Sequence, residues 1–206
     1  MAVAARRIGA ETSATRALIV KAAEDLIRDE GSASVSTRRI AARAGLKPSL
    51  VHYYFPTTDD LLIEVSRKGA AESDRMIEEA LASDDPVAAL WRFFVDTSRT
   101  AMALEFMAMA NHREALRATM AEHSEAMRRR QVEILSHVLG DRLLGPDGCP
   151  PAGLSVVLAG IGRAIVMEEN LGVQSGHQEA LDFVRDWLGR LTDRARTRPQ
   201  EDNQQA

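Results

Sequence analysis

The sequence predicts an all-α protein, and three observations carry that prediction. Apolar residues recur at three- and four-residue intervals along most of the 206 residues. The seven prolines fall at helix starts or in gaps between helical stretches, and alternating β-branched runs are nearly absent. Hydrophobic residues make up 45% and charged residues 27%, the balance of a globular chain long enough for a sizeable core. No apolar run approaches the ~20 residues needed to span a bilayer, so no membrane association is expected. The first sixteen residues carry arginines but no apolar segment of a secretory signal. A lone Cys149 cannot form an intrachain disulfide, which fits a reducing, cytoplasmic setting.

The elements follow in chain order. Residues 1–14, with Arg6 and Arg7, read as a polar arm. A first helix runs from Ala14 or Thr15 to Glu30 and ends at Gly31. Its stripe is Leu18, Ile19, Ala22, Ala23, Leu26 and Ile27. Val35 then plugs a small core. Ser36 or Thr37 caps a short helix through Ala44, with Ile40, Ala41 and Ala44 on one face. Gly45 supplies a left-handed stop, and Leu46 turns inward. Pro48 opens a two-turn helix to Tyr54, its missing N–H harmless in a first turn. Leu50, Val51, Tyr54 and Phe55 face the domain, while Lys47, Ser49, His52 and Tyr53 stay outside. Two short helices about a glycine with a polar outer face make a helix-turn-helix pattern.

Thr57 or Thr58 caps a long helix from Thr58 to about Leu81, and Asp59 and Asp60 favour its positive end. Asp84-Asp85-Pro86 starts a helix reaching about Arg99, with Leu90, Trp91, Phe94 and Val95 inward. Ala101–Ala110 is apolar nearly all round and is expected to be buried. A long amphipathic helix spans about His112–Leu139, and Gly140–Pro151 is a loop. Two last helices cover about Ala152–Gly172 and His177–Arg194, and residues 197–206 read as a frayed tail.

The residues Ile40-Ala41-Ala42-Arg43-Ala44-Gly45-Leu46, Leu50-Val51-His52-Tyr53-Tyr54-Phe55 and Asp60-Leu61-Leu62 together resemble the DNA-binding signature of the TetR family of transcriptional regulators. Close resemblance covers about residues 15–65. It implies a DNA-binding domain at 1–57 and a ligand-binding and dimerisation domain at 58–206, joined by the 58–81 helix. Charge divides the same way. Residues 1–57 hold nine basic against five acidic side chains, +4, within a chain of −4, leaving −8 for the remaining 149.

The Pro48–Tyr54 helix would enter the major groove, with Lys47, Pro48, Ser49, His52 and Tyr53 nearest bases or flanking phosphates. Thr37 and Arg38, at a helix N-terminus, suit a phosphate. Many family members carry a DNA-contacting lysine where this chain has Thr58, so hydroxyls or main-chain N–H groups at Thr57 and Thr58 take its place. The 1–14 arm is either solvated or reaches a minor groove. One such helix spans too few bases, so a homodimer on a double-stranded operator is expected.

The resemblance implies that the last two helices of two copies form a four-helix bundle. Leu158, Ile161, Ile165, Val184, Trp187, Leu188 and Leu191 are the expected interface, with Gly160 and Gly162 allowing close approach. It also implies a small-molecule effector, mostly apolar, held by Trp91, Phe94, Met102, Phe106, Met109, His112, Met127 and Met167. Glu105, Arg113, His123, Arg130 and Glu168 are candidate polar groups of that cavity. No glycine-rich phosphate loop, nucleophile elbow or zinc-type grouping occurs, so no enzyme, metal or cofactor is expected. The expected function is a repressor released by its effector. An activating or ligand-independent DNA-binding regulator is the alternative, and a helical small-molecule carrier a more remote one.

Overall fold

The computed structural model describes residues 13–140 and 149–196, the last four in backbone only. The expected arm over residues 1–12, the tail 197–206 and loop residues 141–148 lie outside the described residues. Among those described, nine α-helices and one short 3-10 turn follow in sequence: α1 Ala14–Glu30, the turn Ser32–Ser34, α2 Thr37–Arg43, α3 Pro48–Tyr54, α4 Thr58–Leu81, α5 Pro86–Phe94, α6 Thr97–Ala110, α7 Glu114–Leu139, α8 Pro151–Glu169 and α9 His177–Arg196.

The chain divides into two compact units. The first takes residues up to Glu72 together with Met102–His123; the second takes Ser73–Ala101 and the chain from Ser124 on. The first unit's core joins Ile19, Ala23, Leu26 and Ile27 of α1 to Ile40, Ala41, Val51 and Phe55, and to Leu61, Leu62 and Val65 of α4. Phe106, Ala110 and Leu116 complete it, so 45% apolar composition is not partitioned by sequence order. In α1 the stripe is corrected at one place. Leu18 is exposed and Val20 is buried, because Leu18 lies on the far shoulder of the helix from the Ile19–Ile27 row.

The second unit packs Ile77, Val87, Leu90, Trp91, Phe93 and Phe94 against Ile134, Leu135 and Leu139 of α7 and against residues of α8 and α9. Two expectations are corrected here. The helix from Pro86 stops at Phe94 rather than near Arg99, because the Asp96 carboxylate accepts the Arg99 N–H at 2.9 Å and caps a fresh helix. The 101–110 stretch is mostly half-buried, with Phe106 and Ala110 inside and Ala108 exposed.

α8 has 19 residues, and an 18-residue window within it has a mean hydropathy of 1.4, long and apolar enough to cross a membrane by length and composition only. Its inward face, Leu154, Ser155, Leu158, Gly162, Ile165 and Val166, is spent on the second unit's core. Gly162 has a steric reason to be glycine. A Cβ there would come within 2.1 Å of the Phe94 carbonyl oxygen.

Candidate nucleic-acid interface

The turn between α2 and α3 is held by main-chain bonds that only a left-handed residue permits. Ser36 caps α2 by accepting the Arg39 N–H at 3.3 Å. At the other end Gly45 adopts φ +68°, its N–H reaching the Ala42 carbonyl at 3.2 Å while the Leu46 N–H reaches Ala41 at 2.8 Å. Leu46 is thereby turned in to pack on the core. Lys47 takes the N-cap position of α3 and Pro48 its first turn. Val51 and Phe55, both 2% exposed, anchor that helix.

With the inner face fixed, the 100° step of the helix leaves Lys47, Pro48, Ser49, His52 and Tyr53 in solvent. Tyr53 is 45% exposed and meets Tyr54 edge-on, ring centres 5.2 Å apart. Tyr54 is itself held, its hydroxyl accepting from Ser13 Oγ at 2.9 Å. Gly45, Leu46, Lys47, Ser49, Leu50 and Tyr53 line a shallow, open depression on this face.

The charges around this face are not equivalent, and the sequence alone did not separate them. Arg39 is paired with Glu30, and Arg43 with Asp29. Arg38 is exposed and makes no ion pair among the described residues, and the same holds for Lys47. Those two cations are the ones free to meet phosphate. Thr37 is half-buried in the first turn of α2. Thr57 caps α4 reciprocally with Asp60: its hydroxyl donates to Asp60 Oδ2 at 2.7 Å, and the Asp60 N–H returns to Thr57 Oγ1 at 3.1 Å. That hydroxyl is already committed, while Thr58, half-buried, follows at the first position of α4.

Residues 19–65, the segment that builds this face, match the family description "Bacterial regulatory proteins, tetR family". The HTH-type transcriptional regulator BetI of Rhizobium meliloti (strain 1021) is 31% identical over 139 residues, 66% of this chain and 64% of that protein. Residues 19–65 carry the DNA-binding segment described for the tetR family. The chain spans less than two thirds of the length of that curated relative. Among solved structures, a transcriptional regulator from Rhodococcus sp. Rha1 aligns with a TM-score of 0.66 at 18% identity, covering 89% of this chain and 99% of its own. A regulator from Saccharomonospora viridis, solved in complex with choline, aligns at 0.69 and 18% identity over 84% and 95%. At such identities these two speak for the fold.

The remaining expected site residues are placed as follows within their own units. Leu158, Ile165, Val184 and Leu188 are 1–6% exposed within their own unit, and Ile161, Trp187 and Leu191 pack partly buried against the same core. They hold α8 and α9 to the protomer because the most apolar helix faces serve that core first. Gly162 likewise serves the α5 contact, while nothing lies near Gly160. On α8 and α9 the large apolar side chains left in solvent, among the described residues, are Val156, Val157, Met167 and Phe183, each more than half exposed.

The expected effector residues are mostly core as well. Trp91, Phe94 and Met127 are buried in the second unit. Phe106 is buried in the first, with Met102 and Met109 packed against that core. His112 and Met167 are exposed. Of the candidate polar groups, Glu105 accepts from the Ser32 N–H, and Arg113 pairs with Asp59. Arg130 pairs with Glu78, and Glu168 with His177. Sequence reading missed Arg99, Arg128 and Arg163, whose guanidinium groups make no hydrogen bond to a carboxylate among the described residues. A signal existed: Arg163 is the one charge within the apolar stretch 151–167.

Proposed function

We propose that this chain is a transcriptional regulator that binds an operator as a homodimer, laying α3 of each copy in the major groove, and acts as a repressor released by a small molecule. One observation carries the reading. α3 is fixed by Val51 and Phe55 in such a way that Lys47, Ser49, His52 and Tyr53 project together, beside two unpaired cations of the +4 amino-terminal segment. Arg38 and Lys47 supply phosphate contacts that set register, while Ser49, His52 and Tyr53 read base edges. The match of residues 19–65 to the tetR family and the likeness to BetI support the regulator class, and a cytoplasmic setting goes with it.

The dimer would use the face that the protomer leaves uncovered. On α8, Val156, Val157, Gly160, Ala164 and Met167 fall at helical spacing on the solvent side, and Phe183 extends the apolar face on α9. Release follows if the effector favours a conformer whose two α3 helices no longer match successive major grooves. The bound choline in the Saccharomonospora viridis neighbour supports a small-molecule role for the helical remainder. The test is selection of duplex fragments by the purified protein, followed by sedimentation of Phe183→Glu. Enrichment of a two-half-site sequence and a monomeric Phe183→Glu uphold the reading. Unselective capture, or a Phe183→Glu that stays dimeric, contradicts it.

A further inference from the structure

Three arginines of the second unit converge on α8: Arg99 bonds the Phe93 carbonyl, next to the Phe94 carbonyl that abuts Gly162, Arg128 bonds Ser155, and Arg163 follows Gly162. Arg99, in the first turn of α6, donates from Nη2 to the Phe93 carbonyl, and its guanidinium carbon lies 3.7 Å from the centre of the Phe93 ring. Its Nε is buried without a hydrogen-bond partner. Arg128 of α7 donates to Ser155 Oγ at 2.6 Å, and the buried Ser155 hydroxyl donates onward to Gln131 Oε1 at 2.5 Å. Arg163 stands eight residues beyond Ser155 on α8 and makes no hydrogen bond or ion pair among the described residues.

These charges feel one another. Burial presses Arg99 down to about 10, Asp96 opposes that, and Arg163 adds to it. Burial and then Arg163 lower Arg128 also, against the pull of Glu125. Asp96 is already occupied at the α6 cap, and Glu125 is exposed. None of the three guanidiniums donates to a carboxylate among the described residues, and the buried Arg99 Nε has no hydrogen-bond partner. A buried cation is ordinarily paired, and the planar fork of arginine matches a carboxylate or phosphate with two parallel bonds.

We propose that Arg99, Arg128 and Arg163 form a binding site for the carboxylate or phosphate group of a small molecule. Resting on the effector reading above, this makes the effector an amphipathic anion, its oxyanion neutralising the arginines and its apolar part lying against the unit's helices. The Ser155–Gln131 pair orients Arg128, and Arg163 is the donor with all its bonds to give.

The test titrates the full chain with sodium octanoate, octyl phosphate, inorganic phosphate and octyltrimethylammonium, reading the thermal midpoint and tryptophan emission. A saturable midpoint rise with octanoate or a phosphate, absent with the ammonium probe, is expected. Arg163→Met should raise the half-saturating concentration at least tenfold, with Arg163→Lys between the two and the exposed Arg92→Met without effect. The octanoate and phosphate arms show which oxyanion is preferred. No saturable anion response, an equal response to octyltrimethylammonium, or an unchanged response in both Arg163 variants overturns the site. An anion response seen in Phe183→Glu but not in the wild type also overturns it, since a partner copy's acids would then fill the place. Operator affinity measured with the same probes separates the two readings. An anion that binds without changing operator affinity overturns the effector role alone, and absent anion binding leaves operator recognition standing.

Discussion

The Glu105 carboxylate accepts the Ser32 main-chain N–H at 2.8 Å across 73 residues of sequence. It also lies beside Gly31, whose φ of +76° turns the chain out of α1. An α6 side chain thus satisfies a donor in the turn leading to α2 and α3, inside the unit whose core already takes in Phe106. Glu105→Ala leaves that part-buried N–H unpaired. It should destabilise the chain by about 1–2 kcal/mol in urea unfolding, with Glu105→Gln nearer wild type.

Arg38 and Arg39 are neighbours with different expected effects. Arg38 is unpaired among the described residues, whereas Arg39 is engaged with Glu30. Arg38→Ala should lower the dependence of log binding constant on log salt by about one, and weaken operator and non-operator DNA alike. Arg39→Ala should change that slope less. Binding isotherms at several salt concentrations decide it.

Two glycines on α8 should part company. Gly162→Ala drives a methyl into the Phe94 carbonyl and should cost about 3 kcal/mol, the upper end for overpacking. Gly160→Ala meets nothing within 4 Å in its own protomer and, in the monomeric Phe183→Glu background, should stabilise by about 0.5–1 kcal/mol in a helix interior. Thermal melts of the two variants give the comparison directly.

Acid stability should depend on Glu64. Its hydrogen bond from Arg16, at 2.6 Å, holds its carboxyl below the ordinary value of 4.5, with burial opposing and the Arg16 and Arg67 charges assisting. A lowered carboxylate pKa means stability present at neutral pH and lost as pH falls through the folded value. Glu64→Gln should flatten the loss of stability below about pH 4.5 relative to wild type, in melts run across an acid pH series.

What was legible in the sequence is the part set by local rules. Ser36, Gly45, Pro48 and Thr57 act within four residues of themselves, so capping chemistry placed α2, the turn, α3 and the start of α4 correctly. The outward set Lys47, Ser49, His52 and Tyr53 followed from the same periodicity. What was not legible needed contacts between distant segments. Periodicity says that Leu158 and Leu188 are buried, but not whether the same chain or a second copy buries them. Nor does spacing reveal that Glu30 and Asp29 consume Arg39 and Arg43, or that Asp96 ends one helix by capping another.

The central claim is that the outer face of α3 reads DNA sequence. Fluorescence anisotropy with a selected duplex and a scrambled duplex of equal length, for wild type and Tyr53→Ala, tests it most directly. The account predicts at least about a thousandfold preference for the selected duplex, most of it lost in Tyr53→Ala together with His52→Ala while the thermal midpoint holds. Equal affinity of the wild type for both duplexes, or a preference untouched by those substitutions, would contradict it.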